Sequence, residues 1–249
     1  MTTFSLEEKI LKVNKKNFKY IQKGQGQLVL LIHGWPENCN SWLNQISFIS
    51  KLGYKAVAIN VRGYADSYSP HSIQSYKLKF FMEDIIDVIN FFNKENAILV
   101  GHDWGAPICW TTAAYYKEKI TAVIGLSVPF TRRGKISSTK LWQKLYKNIF
   151  FYQNYFQYEN VPEKELEKNI SETLLKIFYW CSEEGFQERF VTNITNDTSL
   201  TLDKEPKIFK FLDKPIFQFK KYDRSKSKTL DSNNITTLST DHFVYTNSK

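Results

Sequence analysis

Two rhythms of apolar and polar residues run through the first 130 positions of the chain. Leu28 to Ile32 (Leu-Val-Leu-Leu-Ile) is an unbroken apolar run, as expected of a strand buried on both faces of a sheet. Lys55 to Asn60, Ala97 to Val100 and Thr121 to Leu126 repeat the type. Between these runs apolar residues return every three or four positions, which predicts helices over 41–52, 76–93 and 106–116. Gly53 ends the first of them as a C-terminal cap would. Ahead of them all, Lys9 to Asn14 and Asn17 to Gln22 predict a short antiparallel pair. Strands alternating with helices make βαβ units, hence an α/β fold with a mostly parallel sheet and helices on both faces.

After Pro129 the alternation stops. Residues 131–213 read as helical and rich in aromatics, with helices predicted over 141–156 and 163–181. The chain thus divides into a core over 1–130, an inserted helical lid over 131–213 and a degenerate C-terminal remnant over 214–249. In the remnant, Pro215 to Phe219 is apolar enough for a late strand, and Arg224 to Asn234 is polar enough for a loop.

Composition narrows the function. With 42% hydrophobic and 24% charged residues, the 249-residue chain is ordinary for a globular protein. No run approaches the roughly 20 apolar residues that span a bilayer. Met1 to Phe18 lacks the apolar stretch of a secretion signal, so a cytoplasmic location is expected. The net charge of +9 is spread along the chain rather than gathered in a stripe, which argues against a nucleic-acid partner. Cys39, Cys109 and Cys181 are far apart in sequence and imply neither a metal site nor a disulfide framework.

The chemistry-bearing segment is Val100-Gly101-His102-Asp103-Trp104-Gly105, between a buried strand and a helix. Small residues two before and two after a polar residue permit a tight strand-to-helix turn, which lifts the central side chain over the carboxyl edge of the sheet. Here that residue is an aspartate. A carboxylate attacks an sp3 carbon and leaves an ester, so alkyl transfer rather than acyl transfer is expected. His33-Gly34-Trp35-Pro36-Glu37 directly follows the Leu28–Ile32 strand and lies beside the elbow in this architecture. The backbone N–H groups of Trp35 and Trp104 are the candidate oxyanion-hole donors. His33, Gly34 and Pro36 belong to the same substrate-facing loop, with His33 read as structural rather than as a base.

These two segments, with Arg62-Gly63-Tyr64-Ala65-Asp66-Ser67, resemble the soluble epoxide hydrolase family of α/β-hydrolases. The resemblance is close over about 18–129. Ala65 departs from it, standing where the family usually has glycine. The resemblance implies an α/β-hydrolase fold and a small-molecule epoxide substrate. Asp103 would attack an epoxide carbon, and a covalent ester would precede a vicinal diol. It also places Tyr152, in Phe151-Tyr152-Gln153-Asn154-Tyr155-Phe156-Gln157, as one of two lid tyrosines that hydrogen-bond the epoxide oxygen. No cofactor or metal is implied, since nucleophile and water suffice.

The pattern weakens toward the C-terminus. Ester hydrolysis needs a base, and the sequence holds only His33, His71, His102 and His242. His102, next to the nucleophile, is expected to point away from it. In one reading a shortened core survives, with Asp223 as the acid and His242 as the base. In the favoured reading the chain leaves the family pattern near Asp203, His242 is a tail residue, and the ester accumulates. Tyr222 is the only suggestion for the second tyrosine. Loss of the last strands would bare a sheet edge and invite self-association. A haloalkane dehalogenase, using the same attack and the Trp104 side chain for halide, is the rival enzyme. A truncated, inactive pseudoenzyme is the non-enzymatic alternative.

Overall fold

The computed structural model describes residues 6–132, 134–147, 150–183, 235–239 and 242–246. Lys9–Val13 (β1) and Lys16–Lys23 (β2) fold back on each other as an antiparallel pair. Leu28–Ile32 (β3), Lys55–Ile59 (β4), Ala97–His102 (β5) and Ile120–Leu126 (β6) follow at the positions their apolar runs predict. Ile235–Ser239 (β7) and His242–Thr246 (β8) join the same sheet, which among the described residues has eight strands in the order β1-β2-β4-β3-β5-β6-β8-β7. The four central strands are parallel, and β8 lies antiparallel along β6. The edge expected to be bare beside β6 is therefore occupied by β8. His242 opens that strand, opposite Leu126, rather than standing in a tail.

Both faces of the sheet are covered, which is why its central strands read as continuous apolar runs. Leu28, Leu30 and Ile32 face one cluster with Val57, Leu99, Ile85 and Val88. Val29 and Leu31 face the other with Ala56, Ala58, Trp42 and Ile46. Burial of each such side chain is worth roughly 1.5–3 kcal/mol. The helices are Leu43–Lys51 (α1), entered through a 3-10 turn at Cys39–Trp42, then Leu78–Phe91 (α2) and Gly105–Tyr115 (α3). Gly53 has φ +85 just past α1, a conformation easy only for glycine.

The described residues from Arg132 to Glu183 form a separate compact unit of helices. The predicted helix over 141–156 is two, Ser138–Leu145 (α4) and Tyr152–Tyr155 (α5). That over 163–181 is also two, Val161–Leu166 (α6) and Ile170–Cys181 (α7). Asn169 explains the second break: its side chain accepts from the N–H of Glu172, whose carboxylate accepts in return from the Asn169 amide. This is the side-chain reciprocity of a helix start, and it stops one helix and begins the next. No helix among the described residues is long and apolar enough to cross a membrane.

Candidate active site

The chain leaves β3 toward β4 and leaves β5 toward β6, so the neighbouring strands β3 and β5 send their connections in opposite directions. In open parallel sheets, ligands bind in the crevice that such a switch opens at the carboxyl edge. Asp103 stands there, between β5 and α3, with φ +50. A left-handed conformation costs a non-glycine residue on the order of 1–2 kcal/mol. Backbone bonds on either side hold it: Asp103 N–H donates to Leu126 O at 3.3 Å, and Ala106 N–H donates to Asp103 O at 3.1 Å. The flanking glycines are needed for close approach. A Cβ on Gly105 would strike the carbonyl oxygen of Ile32, and one on Gly101 would strike the carbonyl of Gly105.

The loop after β3 closes on the same carboxylate. Trp35 N–H donates to Asp103 Oδ1 at 2.9 Å. A side chain on Gly34 would collide with the Asp103 carboxyl group, so only glycine lets the loop approach this closely. The Trp35–Pro36 peptide is cis. Burial pushes the Asp103 carboxyl up from its usual range, while the N–H groups of Trp35 and Trp104 pull it down. The Trp104 side chain is half exposed.

His33 is buried with both ring nitrogens engaged. Nδ1–H donates to Gly34 O at 2.8 Å, and Nε2 accepts from Val61 N–H at 3.2 Å. Burial lowers its pKa, which keeps it neutral. It therefore shapes the loop and has no nitrogen left for a ligand. Tyr64 packs edge-on against it, ring centroids 4.6 Å apart. Burial, with the nearby Asp103 and Glu37 charges, pushes the Tyr64 phenol up to about 12.

His102 makes a contact on this edge that apolar spacing does not announce: its Nδ1 lies 2.9 Å from Glu37 Oε2. Glu37 is aimed there by its own N–H, which donates to Gly34 O at 3.1 Å and turns the loop back. An acid three residues after the loop glycine and a histidine before the nucleophile were both visible as residue types, but nothing local joins positions 65 apart. Arg62, the head of the third motif, is buried in an ion pair with Asp84 rather than open to the crevice.

Tyr152 belongs to the helical unit. It is buried, opens α5, and accepts from Gln153 Nε2 at 2.9 Å. Phe151 and Phe156 pack around it, ring centroids 5.3 and 5.7 Å away. The structure thus gathers Asp103, Trp35, Trp104, Gly34 and His33 at one edge of the sheet unit, with Tyr152 in the other unit. Pro215 to Phe219, Tyr222 and Asp223 lie outside the described residues.

A parallel sheet with an aspartate on the elbow and backbone donors closing on it defines a hydrolase scaffold. Residues 27–210 match the family model for the alpha/beta hydrolase fold, and the chain belongs to that family. Its relatives include bifunctional epoxide hydrolase 2 of Mus musculus, 34% identical over 168 residues, and epoxide hydrolase B of Mycobacterium tuberculosis, 36% identical over 172. These alignments take in 67% and 65% of this chain but only 30% and 48% of the relatives. Among solved structures, an epoxide hydrolase of Vigna radiata is 36% identical with a TM-score of 0.66, covering 70% of this chain and 54% of that one. Epoxide hydrolase A of Mycobacterium thermoresistibile is 32% identical with a TM-score of 0.67, covering 70% and 56%. The chain thus spans about half or less of the length of these proteins.

Proposed function

We propose that this protein opens epoxides through Asp103, forming a covalent ester that is then hydrolysed to a vicinal diol. The observation that carries the reading is the Trp35 N–H on Asp103 Oδ1 at the elbow. One carboxylate oxygen is held by the loop while burial keeps the group poorly solvated, and a desolvated carboxylate is the stronger nucleophile. As the ring opens, an acid must give its proton to the epoxide oxygen, which would otherwise leave as an alkoxide, and the family resemblance assigns that part to Tyr152. In the tetrahedral stage of ester hydrolysis, the Trp35 and Trp104 N–H groups serve as oxyanion donors. The similarity to epoxide hydrolases supports the substrate class.

The test is incubation of the purified chain with an aryl epoxide, reading intact mass and diol together. A mass gain of one epoxide, or diol formation, is expected, and both vanish in Asp103→Ala. If neither is seen with folded wild-type protein, the reading fails. Chloride release from a haloalkane without any epoxide reaction would favour the dehalogenase instead.

A further inference from the structure

Cations occur along the whole chain, but the acids that balance them do not. The segment 132–147 carries Arg132, Arg133, Lys135, Lys140, Lys144 and Lys147, and no Asp or Glu stands between Glu118 and Glu159. Arg132, Lys135, Lys140, Lys144 and Lys147 are all exposed, and among the described residues their side chains make no ion pair and no hydrogen bond. Other lysines differ: Lys9, Lys16, Lys19 and Lys176 each meet a carboxylate.

The helix inside this segment separates its residues by side. Lys140 and Lys144, one turn apart, share a stripe of α4, and Lys147 follows just past its end. The aromatic residues are engaged elsewhere. The Trp142 ring lies 5.5 Å from that of Phe151, and Tyr146 stacks on Phe151 at 4.3 Å. Ile136 and Leu145, by contrast, are apolar side chains left in solvent among the cations.

We propose that the segment 132–147 docks the helical unit onto an acidic lipid surface. Charge complementarity selects this partner. Roughly four to eight basic residues beside an amphipathic helix suffice to hold a protein at a leaflet rich in anionic headgroups. Ile136 and Leu145 add an apolar complement that reaches the acyl boundary, shallow enough that charge carries most of the attachment. Attachment of this kind is reversible and weakened by salt. Nucleic acid fits the face less well, because Trp142 and Tyr146, the rings that would stack on bases, are packed against Phe151. Docking is independent of the Asp103 chemistry, and its failure would leave that chemistry standing.

The test is co-sedimentation of the full chain with vesicles of phosphatidylcholine alone or with about 30% phosphatidylserine, at about 0.1 M and about 0.5 M salt. Binding is expected to the acidic vesicles only, and to fall about tenfold or more at the higher salt. Lys140→Gln, Lys144→Gln and Lys147→Gln combined are expected to weaken it on the order of 100-fold. Lys12→Gln, Lys51→Gln and Lys77→Gln combined remove the same charge from exposed sites of the sheet unit, and are expected to weaken it no more than about threefold. Circular dichroism shows that both triple variants are folded. Equal retention on the two vesicle types, no retention of folded wild type on either, or equal losses in the two variants would overturn the proposal. So would tighter binding to a random single-stranded RNA than to the acidic vesicles at the same salt, which would give the segment to nucleic acid.

Discussion

Arg62 grips Asp84 in a buried fork, Nε to Oδ2 at 2.6 Å and Nη2 to Oδ1 at 2.7 Å. Further Arg62 N–H groups reach the carbonyl oxygens of Ser75 and Phe80, so the guanidinium pins the loop after β4 to the start of α2. Lys16 adds a second cation to Asp84 at 2.6 Å. Buried ion pairs contribute little over an apolar pair, but removing one partner strands the other charge. Asp84→Ala is therefore expected to lower stability by about 3–5 kcal/mol in urea unfolding. A loss under about 1 kcal/mol would mean water reaches the guanidinium.

Ala65 has φ +45 in the turn that follows. Left-handed backbone disfavours alanine by on the order of 1–2 kcal/mol, part of which glycine returns as unfolded-state entropy. Ala65→Gly is thus expected to raise stability by about 0.5–1 kcal/mol with an unchanged circular dichroism spectrum. A destabilised variant would show that the turn is not strained.

The parts of this fold legible in the sequence are those whose signal is local. β3 begins and ends where its apolar run does, because burial on both faces leaves no room for a polar residue. The elbow was legible because Gly101 and Gly105 are required by close approach, which no other residue satisfies. The helix break at Asn169 was also local, in an Asn-x-x-Glu start that apolar spacing alone overrides. What stayed hidden depends on pairs distant in sequence. The Glu37–His102 contact and the Arg62–Asp84 fork join residues brought together by strand order. Likewise, nothing in His242 to Thr246 states that it will pair antiparallel along β6.

Gly105 and Gly53 separate steric from conformational need. Gly105 is pressed onto the Ile32 carbonyl, whereas a Cβ on Gly53 meets nothing but must adopt φ +85. Gly105→Ala is expected to lose roughly 2–3 kcal/mol or to fail to fold, since α3 cannot move off β3 without opening the core the two share. Gly53→Ala should lose only about 1 kcal/mol. Thermal unfolding of the two variants side by side checks the order, and equal losses would contradict it.

The Glu37–His102 pair should also mark the pH dependence of stability. Its hydrogen bond holds Glu37 below the ordinary 4.5 and lifts His102 above the ordinary 6.5. The Glu37 contribution is complete above 4.5 and lost as pH falls through its lowered value. That of His102 is complete below 6.5 and lost as pH rises through its raised value. Both groups are partly solvated, so about 0.5–1 kcal/mol is expected. The stability difference between wild type and Glu37→Gln should peak between pH 4.5 and 6.5 and shrink on either side. A difference independent of pH would mean that the contact is not an ion pair.

Asp103 should show the opposite sign. Burial raises its folded pKa above the ordinary 3.8. Its favourable contribution is therefore complete below that value and lost as pH rises through the raised one, leaving an ionised carboxylate as a net cost at neutral pH. Asparagine keeps an oxygen for the Trp35 N–H, carries no charge, and tolerates φ +50 better than most residues. Asp103→Asn is thus expected to gain about 1 kcal/mol at pH 7 over wild type, with the gain shrinking toward pH 4. It should at the same time form no adduct with an epoxide. Urea unfolding at the two pH values checks the sign. A less stable variant at pH 7 would mean that the Trp35 and Trp104 donors outweigh the desolvation of the carboxylate, and that the resting nucleophile is held as an anion at no expense to the fold.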